Sequence, residues 1–348
     1  MSSQPQLEQV PPPVAMLQFV QGYWASRAVY VAAKLGIADL LKDGPRSAED
    51  LAQASNTHAP TLYRVLRALA SIGVLRQAGD LLFALTPLGD TLRTDVPGSL
   101  RFFAVEELGE NHYPAWEQVL HSVRTGATAF NQVYGTSKWQ YMTEHPDEAA
   151  IFNAAMASFS SVVAHAIVEA YDFSGSKTIV DVGGGDGNLL AAVLKANTTA
   201  RGTLADLPHV AEKATVRLAD EGLTSRCAVE PVDFFQQVPA GDTYLLKWII
   251  HDWDDEHSIA ILRNCREALS NNGARNGAPN GKVLIIEAVL QPGVAGAFSK
   301  LMDLNMLVMT GGRERTEAEY HALLESAGLR LTRVVPTHTE MSIIEATR

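Results

Sequence analysis

The sequence predicts an α/β protein: a doubly wound sheet in the C-terminal part, preceded by an all-α, winged-helix-like region. Three observations carry this. From Lys177 onward, short strand-like runs alternate with helical ones, the rhythm of parallel strands joined by crossover helices. Ahead of that point the chain reads as helices with one short hairpin. And 348 residues, 47% of them hydrophobic, supply a large core and favour two domains over one.

Residues 1–14 are polar and proline-rich and are expected to form a disordered tail, with no secretory signal visible in it. Residues 15–110 are expected to form the winged-helix-like domain. In it, Met16–Leu41 has helical apolar spacing, and Gly36 is placed to end one helix. Ser47-Ala48-Glu49-Asp50 reads as a capping box opening a short helix to Ala54. A helix from about Pro60 to Ser71 sets Leu62, Val65, Leu66 and Leu69 on one face, and Gly73 stands where a helix would end. Gly79-Asp80 separates two short strands that finish at Leu85-Thr86-Pro87. Residues 111–172 read as connecting helices, rich in aromatics and alanine.

Residues 173–348 carry the sheet. Strands are expected at Thr178–Val182, Gly202–Ala205, Thr243–Leu246 and Lys282–Glu287, with helices Asn188–Lys195, Ala211–Glu221 and Asp255–Leu269 between them. Asn271–Asn280 reads as a surface loop. The chain closes with a helix, Thr316–Ala327, and strands Arg330–Val335 and Met341–Ala346.

Composition narrows the function. A formal net charge of −11 argues against a surface that tracks phosphates, so nucleic acid is not expected as a partner. Two cysteines, Cys227 and Cys265, are too few for a disulfide framework and fit a reducing cytoplasm. No apolar run approaches the roughly 20 residues that span a bilayer.

The most informative segment is a strand-to-helix turn. The buried run Ile179–Val182 leads into Gly183-Gly184-Gly185-Asp186-Gly187 and then an apolar helix. Glycines let a ligand approach the backbone without interference from Cβ. The spacing is G-x-G-x-G; position 188 is Asn, so the third glycine of the dinucleotide fingerprint is absent. Asp206, at the end of the next strand in Asp206-Leu207-Pro208, can accept hydrogen bonds from ribose hydroxyls. A carboxylate at the turn, such as Asp181, suits a cationic amino-acid tail and would repel a pyrophosphate. After a third strand, Asp233-Phe234 suits an adenine amino group and ring, although a plain loop would look the same.

These stretches, with Leu246-Lys247-Trp248-Ile249-Ile250-His251-Asp252-Trp253, Asn264-Cys265-Arg266-Glu267-Ala268-Leu269, Gly281-Lys282-Val283 and Gly312-Arg313-Glu314-Arg315-Thr316, resemble in order the caffeic-acid-type and hydroxyindole-type small-molecule O-methyltransferases. The resemblance covers nearly the whole chain. It implies the class I methyltransferase fold, S-adenosylmethionine as cofactor, and a homodimer formed through the N-terminal domain, which would help wall the partner's acceptor pocket. It sets Gly183, Gly185, Asp206, Leu207, Asp233, Phe234 and Lys247 at the cofactor, beside Asp181. Two departures stand out: a longer loop at Asn271–Asn280 and a shorter segment between Glu287 and Gly311, which bears on the acceptor.

Methyl transfer from a sulfonium needs a nucleophile and alignment. A phenol, with a pKa of about 10, stays un-ionised at neutral pH, and a histidine can take its proton. His251 follows the strand-like run Tyr244–Ile250, at the end of a sheet where ligands bind. A carboxylate behind the imidazole would fix its tautomer; Glu287, at the end of the next strand, is expected there, and the family pattern adds Glu314. A buried histidine capping the next helix is the plainer alternative. Trp248 and Trp253 flank His251; either ring could stack on cofactor or acceptor, and Trp253 is assigned to the cofactor, Trp248 and Asp252 to the acceptor. Phe152, Met156 and Phe159, with Met302 and Met306, form apolar sets that suit a flat acceptor or simply core, as does Met309.

Asp252, Asp254, Asp255, Glu256 and His257 also admit a metal site, but acids cluster at helix N-termini for electrostatic reasons, and no metal is expected. Two rivals remain. A DNA-binding regulator is suggested by Ser47–Leu85, whose recognition helix carries only Arg64 and Arg67 as basic residues. An N-methyltransferase, or non-methyl chemistry on the same cofactor, keeps the fold and changes the outcome.

Overall fold

The computed structural model describes residues 10–271 and 281–348; of these, the side chains of 159, 161, 162, 270 and 271 stay undescribed. The chain divides into two compact units, between Tyr113 and Pro114.

In the first unit, α1 (Pro12–Lys34) begins inside the expected tail. Proline in a first helical turn forfeits no hydrogen bond and already holds the helical φ. Gly36, at φ 67°, turns the chain into α2 (Ile37–Leu40). β1 (Arg46–Ser47) runs into α3 (Ala48–Ser55), capped by Ser47 Oγ, which accepts from the Asp50 N–H at 3.0 Å. α4 (Ala59–Ser71) buries Leu62, Leu66 and Leu69, and leaves Val65 half-buried. β2 (Leu75–Gly79) and β3 (Leu82–Leu85) make the hairpin, and β1 pairs with β3 to extend it to three antiparallel strands. α5 (Pro87–Asp90) and α6 (Arg101–Glu107) follow. On α1, Phe19 is 68% and Trp24 58% exposed, so this helix carries apolar surface that the unit does not bury.

The second unit opens with α7 (Tyr113–Glu117), α8 (Val119–Thr125), α9 (Ala129–Tyr134), α10 (Lys138–Glu144) and the long α11 (Pro146–Ala170). The connecting region expected over residues 111–172 is thus part of this unit from Pro114 on, because Val163, Ala164 and Ile167 of α11 pack into the core of the sheet. Then come β4 (Thr178–Val182), α12 (Asn188–Ala196), β5 (Arg201–Asp206), α13 (Pro208–Asp220), β6 (Cys227–Pro231) and β7 (Thr243–Lys247). After them run α14 (Asp255–Asn271), β8 (Lys282–Ala288), α15 (Ala297–Met309), α16 (Glu317–Ser326), β9 (Arg330–Pro336) and β10 (Met341–Thr347). The loop expected over Asn271–Asn280 lies, from 272 on, outside the described residues.

The seven strands lie in the order β6-β5-β4-β7-β8-β10-β9. The first five are mutually parallel, and β10 runs antiparallel to both its neighbours. The period of two along each strand sorts residues to two faces. Ile179, Leu245 and Leu284 pack under α11, α12 and α13, whereas Val180, Tyr244, Leu246 and Ile285 pack under α14 and α16. Each such aliphatic side chain contributes about 1.5–3 kcal/mol by leaving water. Strand order reverses between β4 and β7, which run parallel, and this is where an open α/β sheet leaves a crevice beyond its carboxyl ends. Among the described residues no single helix is long and apolar enough to cross a membrane.

Candidate active site

Two turns meet that crevice. The first follows β4. Gly183 (φ 65°) and Gly185 (φ 60°) both hold left-handed backbone, which a side chain would strain. A Cβ on Gly185 would meet nothing within 4 Å, so the turn is open there. The Gly183 N–H donates to the Ala205 carbonyl at 2.7 Å and joins the turn to β5. Asp206, at the end of β5, accepts from the Gly185 N–H through Oδ2 at 2.8 Å and from the Leu207 N–H through Oδ1 at 2.7 Å. Each oxygen keeps lone-pair capacity for a ligand hydroxyl. Asn188, standing where a dinucleotide turn has glycine, donates through Nδ2 to the Ala157 carbonyl of α11 at 3.2 Å.

Asp181 is buried beneath this turn, 1% exposed, and among the described residues its Oδ2 has no hydrogen-bond partner. Burial pushes its carboxyl well above the carboxylate range, and Lys247 opposes that. Lys247 is pushed down by burial in turn; its Nζ donates to Ser160 Oγ of α11 at 2.8 Å. An orphaned buried oxygen, an open glycine turn and a carboxylate at the end of β5 fit a nucleoside that carries a cationic tail. Asp233 is exposed and accepts from the Phe235 N–H at 2.9 Å; Phe234 lies close by, its Cε1 within 3.6 Å of a Cβ built on Gly183.

The second turn follows β7. The strand expected over Thr243–Leu246 runs to Lys247, and the strand-like run that continues to Ile250 leaves the sheet there. Trp248 adopts left-handed backbone at φ 57°, which breaks the ladder, and Ile250–Asp252 form a 3-10 turn bearing His251. A tryptophan in that conformation is strained and persists only where its surroundings determine it. Here they do. Glu287 Oε1 accepts from the N–H of His251 at 3.0 Å and from the N–H of Ile249 at 3.2 Å. The Arg313 N–H donates to the His251 carbonyl at 2.8 Å. Gly312 makes that approach possible: a Cβ on it would stand 1.9 Å from the same carbonyl oxygen.

The carboxylate on the imidazole is Glu314, not Glu287. His251 Nδ1 and Glu314 Oε1 are 2.8 Å apart, with the imidazole only 7% exposed and Glu314 fully buried. Glu287, expected behind the ring, is spent on backbone N–H groups and on the hydroxyl of Tyr320, because its strand ends beneath the turn and not beside the ring. Burial disfavours a charged His251, but Glu314 and Asp252 outweigh it and raise the group to about 9. Nε2 lies 3.9 Å from Asp252 Oδ1, too far for a hydrogen bond. When the ring is neutral, the carboxylate on Nδ1 keeps the proton on that nitrogen, and Nε2 offers a lone pair. Burial holds the Asp252 carboxyl at about 6, opposed by His251 and Lys138.

Aromatic rings close around these turns. Trp248 lies nearly parallel to the His251 ring, 6.3 Å away at 10°. Trp253 meets Phe235 edge-on at 4.7 Å and Phe234 at 6.3 Å, and stacks on Trp139 at 6.3 Å. Phe152 reaches this group through Trp139, at 5.8 Å. Met156 is half-buried on the same helix, and the Phe159 side chain lies outside the described residues. On α15, Met302 is half-buried and Met306 buried. Met309 is core, packed with Ala129, Phe130 and Val308. Two of the acids weighed as metal ligands have other partners: Asp254 accepts from the His257 N–H at 2.9 Å, and Asp255 pairs with Arg313 and Arg315.

Sequence reasoning missed Trp139, Ser160, Gly312, Arg315 and Tyr320. None sits next to His251 or the glycine turn in sequence, and only the matched stretch Gly312–Arg315 carried a signal for any of them.

Comparison with known proteins places the chain in a family. Residues 116–330 match the O-methyltransferase domain family, and residues 17–95 match the O-methyltransferase dimerisation domain. The phenazine O-methyltransferase PhzM of Lysobacter antibioticus is 47% identical, over 97% of this chain and 96% of that one. A mitomycin biosynthesis 6-O-methyltransferase of Streptomyces lavendulae is 44% identical over 91% and 89%. The phenazine-1-carboxylate N-methyltransferase of Pseudomonas aeruginosa is 34% identical over 96% of each chain. Among solved structures, that of LaPhzM superposes with a TM-score of 0.92 at 47% identity, over 97% of this chain and 99% of that one. An O-methyltransferase from neocarzinostatin biosynthesis, solved with S-adenosylmethionine and 2-hydroxy-5-methyl naphthoic acid, superposes at 0.78 and 36% identity, over 93% and 95%. With a glycine turn after β4, a second turn carrying a carboxylate-bound histidine, and both family domains in order, this chain belongs to the S-adenosylmethionine-dependent O-methyltransferase family.

Proposed function

We propose that the protein methylates a hydroxyl of a small aromatic acceptor, with His251 as general base. The observation that carries this is the buried Glu314–His251 pair at 2.8 Å, which leaves Nε2 free to accept a proton. S-adenosylmethionine supplies, when bound, a methyl on a cationic sulfur that is ready for in-line displacement. Asp206 holds its ribose; Asp181 and Lys247 set the charge beneath the glycine turn, and Phe234 and Trp253 flank the adenosine. His251 Nε2 would take the proton of the acceptor hydroxyl, and S-adenosylmethionine, when bound, would supply the methyl group and keep the sulfur as its leaving group. Glu314 and Asp252 raise the imidazole toward the range of a phenol, at about 10, so the neutral ring is a strong enough base to take that proton. Phe152, Met156, Trp248 and Met302 offer apolar surface to a flat ring. Phenazine and naphthoic acid in the names of two relatives support an aromatic acceptor. The dimerisation domain and the exposed apolar residues of α1 support a homodimer.

A second reading, N-methylation, is favoured by one observation: a relative 34% identical along nearly its whole length is an N-methyltransferase. Methyl-labelled S-adenosylmethionine offered with paired hydroxy and amino aromatics separates the two. Label recovered on oxygen, and lost with His251→Ala, supports the proposal. Label on nitrogen that survives His251→Ala contradicts it.

A further inference from the structure

We infer that Arg315 is a positioning residue for methyl transfer: its guanidinium holds the backbone carbonyls on both sides of His251 and so aims the imidazole. The inference rests on the general-base reading of His251.

Arg315 is the largest fully buried side chain among the described residues. A charge is costly to bury, and a guanidinium persists there only with its donors satisfied. All three nitrogens find acceptors. Nη1 donates to the Ile250 carbonyl at 3.1 Å, and Nη2 donates to the Trp253 carbonyl at 2.9 Å. Nε and Nη2 donate to Asp255 Oδ1 at 3.2 and 2.9 Å. The two carbonyls bracket His251 and Asp252, so one rigid fork spans the 3-10 turn. Ser258 Oγ, also fully buried, lies 3.3 and 3.4 Å from the same two carbonyl oxygens and shares its one O–H between them.

Adjacent side chains divide the work. Arg315 forms a parallel bridge with Val289, and successive residues of an extended segment point to opposite sides. Glu314 therefore reaches the imidazole while Arg315 passes beneath the turn. The turn's own bonds, from the Asp252 N–H to the Ile249 carbonyl and from the Trp253 N–H to the Ile250 carbonyl, are long at 3.3 Å each, and the turn opens on a strained Trp248. Aim matters because a displacement of about 1 Å at the reacting group can lower a rate by about 100-fold.

The test uses the full chain with Arg315→Ala and Arg315→Lys, beside His251→Ala. Each is measured for S-adenosylmethionine affinity, for kcat and acceptor KM, and for kcat with added guanidinium ion. The expected result is a fall in kcat of about 10- to 100-fold for Arg315→Ala, at unchanged cofactor affinity and with little change in KM. Guanidinium recovers part of it, and Arg315→Lys, which cannot span both carbonyls, falls between. A purely structural role would lower thermal stability while the folded fraction kept wild-type kcat, and that result overturns the inference. If Arg315→Ala does not fold, Arg315→Lys decides alone, because it keeps the buried charge: reduced kcat at wild-type KM supports the inference and wild-type kcat overturns it. Full turnover in His251→Ala would remove the general-base reading, and the inference with it. An inactive His251→Ala beside a fully active Arg315→Lys overturns the inference alone.

Discussion

The turns after β4 and β7 lie on neighbouring strands of one sheet, yet they are built in opposite ways. The β4 turn is local: glycines supply the left-handed backbone, and its main anchors, Ala205 and Asp206, come from the very next strand. The β7 turn has a tryptophan where the first has glycine, and it is held from outside. Glu287 takes its N–H groups, Arg313 and Arg315 take its carbonyls, and Glu314 takes its imidazole. Under the proposed function the first turn has only to admit a ligand, which small residues can shape, whereas the second has to aim a base at a reacting atom, which draws on side chains from elsewhere in the chain.

The contrast makes graded predictions. The largest effect is expected from Glu314→Gln, which keeps the shape but removes the charge that supports His251. It should lower kcat by about 100-fold or more, within the range that acid–base catalysis contributes, measured in steady state with cofactor affinity unchanged. Next come two alanine substitutions. Gly312→Ala drives a Cβ into the His251 carbonyl and should cost about 100-fold in kcat. Gly185→Ala meets open space and should cost only about 1–2 kcal/mol, the penalty of its left-handed backbone, read in cofactor binding and thermal stability. Equal effects of the two on kcat would erase the distinction between the turns. Asp206→Ala should weaken S-adenosylmethionine binding by about 1.5–3 kcal/mol in calorimetry, the worth of charged hydrogen bonds, with kcat at saturation changing less.

The smallest expected effect is a pH dependence. His251 stands at about 9 in the folded chain, above its ordinary value of 6.5. The sign follows: its contribution to stability is complete below about 6.5 and is lost as pH rises through 9. The stability gap between wild type and His251→Ala should therefore narrow across that window in denaturant titrations. Over the same window kcat/KM should rise, because the base is freed, and Glu314→Gln should move the rise to lower pH.

This contrast also accounts for what could be read in the sequence. Period and punctuation are local, so the alternation from Lys177 on, the strand at Thr178–Val182 and the G-x-G-x-G turn were legible. So were His251 as the residue at a strand end and Glu314 from the family pattern. The partner of the imidazole was not legible from the residues themselves. Glu287 and Glu314 are both acids near a strand end, and only the fold decides that one lies beneath the backbone and the other beside the ring. That the strand-like run to Ile250 breaks after Lys247 was not legible for a similar reason. Trp248 and Ile249 are good strand residues by propensity, and distant carboxylates and an arginine override it. Ser160 and Trp139 were invisible because the helices that bear them precede the sheet by many residues.

The most direct test of the central claim is His251→Ala, measured for cofactor binding and for turnover with a phenolic acceptor in the same preparation. Wild-type affinity for S-adenosylmethionine with turnover lowered by about 100- to 10,000-fold is the expected result. Undiminished turnover would contradict the assignment of His251 as the base.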